Sequence, residues 1–410
     1  MARASASRRR AAPDVLDLDA LAQDALELDP GLDPFSESAI RHLVGRYGSP
    51  LFLIDAERVR RQYRRLAAAL PGVDLHYALK PLPHPAVIET LQADGAFFDL
   101  ATTGEVELVR RLKIAPERCI HTHPIKRESD IRSALSFGVD RFVIDNPDEL
   151  RKFVKYRTRC SLLIRVSFSS PDARCDLSRK FGCEPEAVGG LLRLASDLRI
   201  RIAGLSFHVG SQAAGPAMFV EAIERCRALL ASARAGGHPA DILDIGGGFP
   251  VDYREPAMPI EEFAVPIRAA LAELPAGTRV IAEPGRYIAA PAVAAVSSVM
   301  GRAERGGRWW YYLDDGLYGS YSGQMYDHTV YPLEVLAPTG GKTYPSVLAG
   351  PTCDSIDVIN DRIELPKLDV GDLVVGHAMG AYTWASATDF NFFPRATVLA
   401  LDRGRLMAER

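Results

Sequence analysis

The sequence predicts an α/β fold: a (β/α)8, TIM-like barrel carrying a second, β-rich domain. Three observations predict it. They are a length of 410 residues, a regular succession of short β-rich runs up to Glu283, and a change after Arg286 to extended segments broken by glycine and proline. That length exceeds one ordinary core, so a large domain of roughly 250 residues and a smaller one are expected.

Residues 1–35 mix Ala, Arg, Asp and Leu without a stable period and read as a flexible arm. Residues 36–55 read as a segment of the β domain, because Leu51-Phe52-Leu53-Ile54-Asp55 is strand-like and precedes the barrel. Ala56 to Leu70 is apolar-periodic and basic, ends at Pro71-Gly72, and reads as a helix leading into a barrel over residues 56–287. Eight strand-like runs follow: Leu75–Lys80, Phe97–Ala101, Cys119–Thr122, Arg141–Asp145, Leu162–Ser167, Gly204–His208, Ile242–Ile245 and Val280–Glu283. The first five begin about 22 residues apart, which leaves room for a helix and two short loops, as in Pro85–Ala93 and Thr103–Lys113. Strand alternating with helix in this way implies the barrel. A longer step before the sixth strand carries a polar insertion, Asp172 to Gly182, expected over the barrel mouth. Residues 288–410 form the C-terminal β domain, with strands near Trp309–Asp314, Tyr344–Ala349 and Leu373–Gly376.

Composition excludes several classes. A formal net charge of −3 offers no basic excess for nucleic acid. The longest apolar stretch, Ile288 to Met300, is too short to span a bilayer and contains Pro291, so no membrane partner is expected. Arg8-Arg9-Arg10 lacks the apolar core of a signal peptide and reads as part of a frayed tail. The six cysteines form no C-x-x-C pair, which fits a reducing compartment and hence the cytoplasm. No residue set is assigned to a metal.

In such a barrel, chemistry sits at the C-terminal ends of the strands. Lys80, Asp99, Arg165, His208, Gly246-Gly247-Gly248 and Glu283 all fall there. Singly, each has a plain structural reading: a lysine after a strand is usually solvated, and a histidine on a β-run is usually a satisfied core residue. Convergence on one rim is what marks them. A lysine opposite an acid and an arginine is the pattern of a Schiff-base cofactor site. Three consecutive glycines let N–H groups approach an anion with no Cβ in the way, although they also suit a tight βα turn. Arg286 adds a second phosphate contact, and Ser211 in His208-Val209-Gly210-Ser211 reaches the same group. A carboxylate such as Glu283 facing a pyridine nitrogen keeps that nitrogen protonated, so the ring draws electrons from substrate Cα. His208 would lie flat against the ring. Together these residues point to pyridoxal 5'-phosphate (PLP).

The blocks Tyr77-Ala78-Leu79-Lys80, Phe98-Asp99-Leu100-Ala101, Ser206-Phe207-His208-Val209-Gly210-Ser211, Gly246-Gly247-Gly248-Phe249-Pro250, Glu283-Pro284-Gly285-Arg286-Tyr287, Asp315-Gly316-Leu317-Tyr318-Gly319-Ser320, Tyr326-Asp327-His328, Gly350-Pro351-Thr352-Cys353-Asp354-Ser355 and Gly380-Ala381-Tyr382-Thr383 occur in this order. They resemble the PLP-dependent decarboxylases of the ornithine, lysine, arginine and diaminopimelate group, which have the alanine racemase-like fold type III. The resemblance runs from about residue 36 to the C-terminus. It implies that Lys80 holds the cofactor, that His208 stacks on its ring and that Glu283 pairs with the pyridine nitrogen. Ser211, Gly247, Gly248, Gly285, Arg286 and Tyr382 would hold the phosphate, while Asp99 and Arg165 would orient Lys80 and the ring substituents. Tyr326, Asp327, Cys353, Asp354 and Phe390 would meet the substrate, with Cys353 protonating Cα after carboxylate loss. The resemblance further implies a head-to-tail homodimer in which Cys353 and Asp354 come from the second subunit; a plain reading of Cys353 is a small buried residue.

Cys353-Asp354-Ser355 resembles the ornithine and lysine type, and a short acid suits a plain distal ammonium. Ornithine and lysine differ by one methylene, worth only ~1–3 kcal/mol of discrimination. Gly323-Gln324-Met325-Tyr326 and Trp384 depart from the family pattern and leave diaminopimelate, arginine or an unusual diamino acid as alternatives. A racemase would place an arginine at the pyridine nitrogen, against which Glu283 stands. A silent regulatory homologue would lose some of Lys80, Cys353 or Asp354, and all three are present.

Overall fold

In a computed structural model describing residues 32–168, 180–337 and 342–407, eight parallel strands close into a barrel. The arm at residues 1–31 and the insertion residues 172–179 lie outside the described residues. After β1 (Leu51–Asp55), the barrel strands are β2 (Val73–Ala78), β3 (Phe97–Leu100), β4 (Cys119–His121), β5 (Arg141–Ile144), β6 (Ser161–Val166), β7 (Ile202–Phe207), β8 (Ile242–Asp244) and β9 (Arg279–Ala282). Val73 beside Val280 closes the ring between β2 and β9. Ile120, Val143, Leu163, Ala203, Ile242 and Ile281 form a buried cluster with one residue from each of β4 to β9. Their neighbours along each strand pack into a second, larger core with the helices, as expected where inward and outward side chains alternate.

Each strand ends one or two residues earlier than the sequence pattern indicates, which matters for chemistry. Lys80, His208 and Glu283 do not close strands; they stand just beyond β2, β7 and β9. Main-chain bonding continues past the pleat, from Ala78 N to Pro284 O at 3.2 Å and from Glu283 N to Gly246 O at 2.8 Å. The chain then turns, with Leu82 N bonding Leu79 O at 3.1 Å. The functional groups are thereby held on bonded main chain while their side chains leave the strand register.

The second domain is a nine-stranded sheet in which β1 lies between β10 (Val293–Arg305) and β16 (Thr397–Asp402). The remaining strands are β11 (Arg308–Leu313), β12 (Leu333–Leu336), β13 (Tyr344–Ala349), β14 (Val358–Leu365), β15 (Leu373–Gly376) and β17 (Arg405–Leu406). A helix over Glu37–Tyr47, capped by the Ser36 side chain, buries Ala39, Ile40, Leu43 and Tyr47 against this sheet. The helix Ala56–Ala69 starts on Asp55, whose carboxylate accepts from Glu57 N and Arg58 N. It connects the two units: Arg60 pairs with Asp402 of β16, and Arg65 pairs with Glu261 beside the barrel.

Behind the site, Lys126 secures the loop after β4. Its fully buried Nζ donates to the carbonyls of His123 at 2.8 Å, Pro124 at 3.1 Å and Val143 at 2.6 Å, and lies 3.0 Å from Glu149. Removing one member of a buried pair strands the other, at a cost of roughly 3 kcal/mol. Lys126→Met is therefore expected to lower the thermal unfolding midpoint by on the order of 5 °C, read by calorimetry. An unchanged midpoint would show that the loop does not depend on this pair.

Candidate active site

Lys80, His208, Ser211, Gly247, Gly248, Glu283, Gly285, Arg286, Tyr326, Asp327 and Tyr382 line one cavity of about 330 Å³ at the barrel mouth. A second compartment of about 190 Å³ is lined by Lys80, Asp99, Glu105, Thr122, His123, Arg165, Phe181 and Glu283. Lys80 and Glu283 line both, so they form the wall that the two compartments share. The Lys80 side chain is exposed to the cavity, yet it lies deep in the molecule, where protein replaces bulk water. Burial works to lower its pKa, but Tyr382, Asp99 and Glu283 outweigh it and raise the pKa above the ordinary lysine value.

Two acids, Asp99 and Glu283, act on Lys80, and a third, Asp244, acts on Glu283; their environments differ. Asp99 accepts from Thr122 Oγ1 at 2.5 Å, and burial followed by the charge of Glu283 holds its pKa well above the carboxylate range. Asp244 is fully buried under the site, accepts from Ser206 Oγ and Gly246 N at 2.9 Å each, and is raised in the same way by burial and then Glu283. Glu283 itself keeps one buried oxygen, Oε1, with no hydrogen-bond partner among the described residues. His208 is neutral: burial, then Lys80 and Arg165, hold its pKa well below the usual imidazole value, and Nδ1 accepts from Gly210 N at 3.0 Å.

The glycine run is required where it stands. A Cβ on Gly246 would strike the Phe207 carbonyl, one on Gly247 would come within 2.6 Å of the Glu283 carbonyl, and one on Gly248 would strike the Gly210 carbonyl. Gly246 and Gly248 also hold φ of 65° and 109°, the left-handed region that favours glycine. Arg286 closes this end of the cavity, donating to Ser211 Oγ at 3.1 Å, Tyr253 OH at 2.9 Å and the Asp327 carboxylate. The Tyr382 ring lies 4.9 Å from its guanidinium carbon.

Cys353, Asp354 and Phe390 are not brought to this cavity within one chain. They form a separate, largely open cluster. Cys353 is exposed, its Sγ lying 3.4 Å from Asn391 Oδ1. Asp354 Oδ2 accepts from Tyr318 OH at 2.5 Å, and Phe390 stacks on the Tyr318 ring at 4.2 Å. That hydroxyl, and then the Ile356 N–H, hold the Asp354 carboxyl below the usual carboxylate range. Cys353 is therefore not the buried residue of its plain structural reading. Trp384, which departs from the family pattern, does not line the cavity; its ring meets His84 edge-on at 5.9 Å.

Sequence reasoning missed Asp244, Tyr253, Glu105 and Tyr318. Tyr318 belongs to the block Asp315–Ser320, and Asp244, two residues before three glycines at a strand end, left a usable signal. Glu105 accepts from Ala101 N at 2.5 Å through a turn that no spacing pattern specifies. Tyr253 meets Arg286 across 33 residues and left no local trace.

The residues present fit PLP: the unpartnered Glu283 Oε1 suits a ring N–H, and the glycine cradle beside Arg286 and Ser211 suits a phosphate. Fold and site thus define a barrel enzyme of PLP chemistry. Residues 56–290 match the family model "Pyridoxal-dependent decarboxylase, pyridoxal binding domain". A lysine/ornithine decarboxylase from Selenomonas ruminantium is 36% identical over 368 residues, 90% of this chain and 93% of that one. The crystal structure of lysine/ornithine decarboxylase from Vibrio vulnificus complexed with putrescine is 55% identical, with a TM-score of 0.85 over 90% of this chain and 99% of that one. Its cadaverine complex gives the same identity and TM-score over 89% and 99%. The chain belongs to the fold-type III PLP-dependent decarboxylases of the ornithine and lysine group, and is a carboxy-lyase using PLP.

A lysine must lose its proton before attacking an aldehyde, and Lys80 is raised above the ordinary value of 10.5. Added PLP should therefore be captured faster as pH rises from about 7 to about 9, with no plateau in that interval. Stopped-flow absorbance reads the rate, and a plateau near neutrality would mean that the carboxylates do not hold the proton on Lys80.

Proposed function

We propose that the chain decarboxylates L-ornithine or L-lysine, releasing putrescine or cadaverine for polyamine synthesis in the cytoplasm, as a homodimer with shared active sites. The observation that carries the reading is the Lys80 cavity, with its cradle and unpartnered Glu283 oxygen, in a chain whose Cys353-Asp354-Ser355 segment presents a short acid. The neighbour crystallised with putrescine and with cadaverine supports both products. Free cysteines support a reducing compartment.

The geometry supports the following roles. When bound, PLP supplies an electron sink for the pair left at Cα as the carboxylate departs. Glu283 Oε1 would hold a proton at the ring nitrogen, and Asp244 beside it is pushed toward its protonated form by burial and then by Glu283. The neutral His208 ring offers a flat face without adding positive charge. The charges of Asp99 and Glu283 act on the Lys80 amine and help hold its proton. Arg286, Ser211, Gly247, Gly248, Gly285 and Tyr382 fix the phosphate, while Asp99 and Arg165 set the opposite compartment. Tyr326 and Asp327 face the cavity from this chain. Cys353, Asp354 and Phe390 would reach it from a second copy, the cysteine protonating Cα and Asp354 receiving the distal ammonium.

Incubation with PLP and, separately, ornithine, lysine, arginine and diaminopimelate should release putrescine and cadaverine, identified by mass. Agmatine alone, or lysine from diaminopimelate, would replace the reading with one of the alternatives. The shared site has its own test. Mixing inactive Lys80→Ala and Cys353→Ala chains under demonstrated exchange should restore up to about 25% of wild-type activity, because half the dimers are mixed and each holds one intact site. No gain over either parent would require each chain to build its own site.

A further inference from the structure

Arg286 stands at the phosphate end of the cavity with all three nitrogens engaged. Nε meets Ser211, Nη1 meets Tyr253 and Nη2 meets Asp327. The pair is enclosed, with side-chain exposures of 6% for Arg286 and 14% for Asp327. Thr329 Oγ1 also donates to Asp327 Oδ2 at 3.3 Å. A guanidinium offers its donors in one rigid plane, so a carboxylate and a phosphate at this place ask for the same face. A phosphate in the Gly247–Gly248 cradle would also set its charge beside the Asp327 carboxylate, in surroundings that screen repulsion poorly.

The main chain at Asp327 is anchored, so the side chain is what can respond. Asp327 ends the short helix Gly323–Asp327, and His328 follows in the left-handed region at φ 49°. At the other end, Gly323 fits only because it lacks a Cβ, which would strike Tyr331 OH and come within 3.0 Å of the Tyr382 carbonyl. Tyr326, one residue before Asp327, opens onto the cavity and is 61% exposed.

We propose that Asp327 competes with the cofactor phosphate for Arg286, so that seating the phosphate releases the Asp327 carboxylate to receive the cationic end of the substrate. The inference rests on the diamino-acid reading above and adds an order to it: the ammonium site is completed by the cofactor. Coupling of this kind is reciprocal. Whatever factor the phosphate adds to diamine affinity, the diamine must add to phosphate affinity.

The test uses apoenzyme and 4'-deoxypyridoxine 5'-phosphate, which has the ring and phosphate but no aldehyde to react with Lys80. Titration calorimetry with putrescine or cadaverine should show diamine binding tightened about tenfold by the analogue, with the same factor in the reverse order. Asp327→Asn should bind the analogue several-fold more tightly and lose the mutual effect; its binding of the analogue also reports a folded cavity. Deoxypyridoxine without phosphate should leave diamine affinity unchanged. Equal diamine affinity with and without the analogue, or unchanged analogue affinity in Asp327→Asn, would overturn the competition. If neither diamine binds but Asp327→Asn still gains analogue affinity, the competition stands and the diamine reading fails.

Discussion

The site depends on one constraint: Lys80 stands with more acid than an enclosed cavity readily holds in charged form. Asp99 and Glu283 flank it, and Asp244 lies under Glu283. Placing several carboxylates together inside a protein is unfavourable unless protons or cations accompany them. The structure answers with both. Asp99 and Asp244 are held toward their protonated forms, and the Lys80 ammonium is stabilised between the acids. Burial, and then the nearby Lys80 and Arg165, hold the His208 pKa well below the usual imidazole value. Each group's state is set by its neighbours, so a substitution at one alters the others.

Holding those groups together is the task of the strand ends. Parallel strands pair up to their ends, and beyond β2 and β9 the main chain remains bonded while it turns. Gly246 N donates to Asp244 Oδ1 and Glu283 N donates to Gly246 O. The glycine run, the buried acid and the cavity acid are therefore fixed to each other by backbone bonds. A side chain at position 246 or 248 would break this by collision with the main chain after β7. The second domain depends on a different link. β1, which comes before the barrel in sequence, lies at the centre of the later sheet, and the next helix returns Arg60 to Asp402.

The barrel was legible in the sequence because its strands are short apolar runs at even spacing, a pattern fixed by helix and loop lengths. Their ends were not. Lys80 and Glu283 continue the strand-like composition past the pleat, and only the turn at Leu79–Leu82 shows where the strand stops. Lys80, Asp99, His208 and Glu283 could be read as a group because barrel topology gathers strand ends on one rim. Tyr253 acts through a tertiary contact to Arg286 that no local pattern encodes. Cys353 and Asp354 stood out in sequence through resemblance alone, and the single chain leaves them outside the cavity.

The two-compartment cavity bears on how such a site separates its tasks. Lys80 and Glu283 divide a space that ends in the glycine cradle on one side and in Asp99, Arg165 and Phe181 on the other. The cradle side is rich in backbone donors and arginine, suited to a phosphate. The other side holds Arg165 over the Phe181 ring at 5.6 Å, with His123 edge-on to the same ring at 5.5 Å. There the cationic group is backed by aromatic surface and by Asp99, which is held toward its protonated form, an environment suited to a ring hydroxyl or a transient anion. The donors of the two compartments are thereby kept apart, with Lys80 and Glu283 between them. On the cradle side Arg286 is already engaged by Asp327, so the donors that suit a phosphate are shared there with a carboxylate of the same compartment.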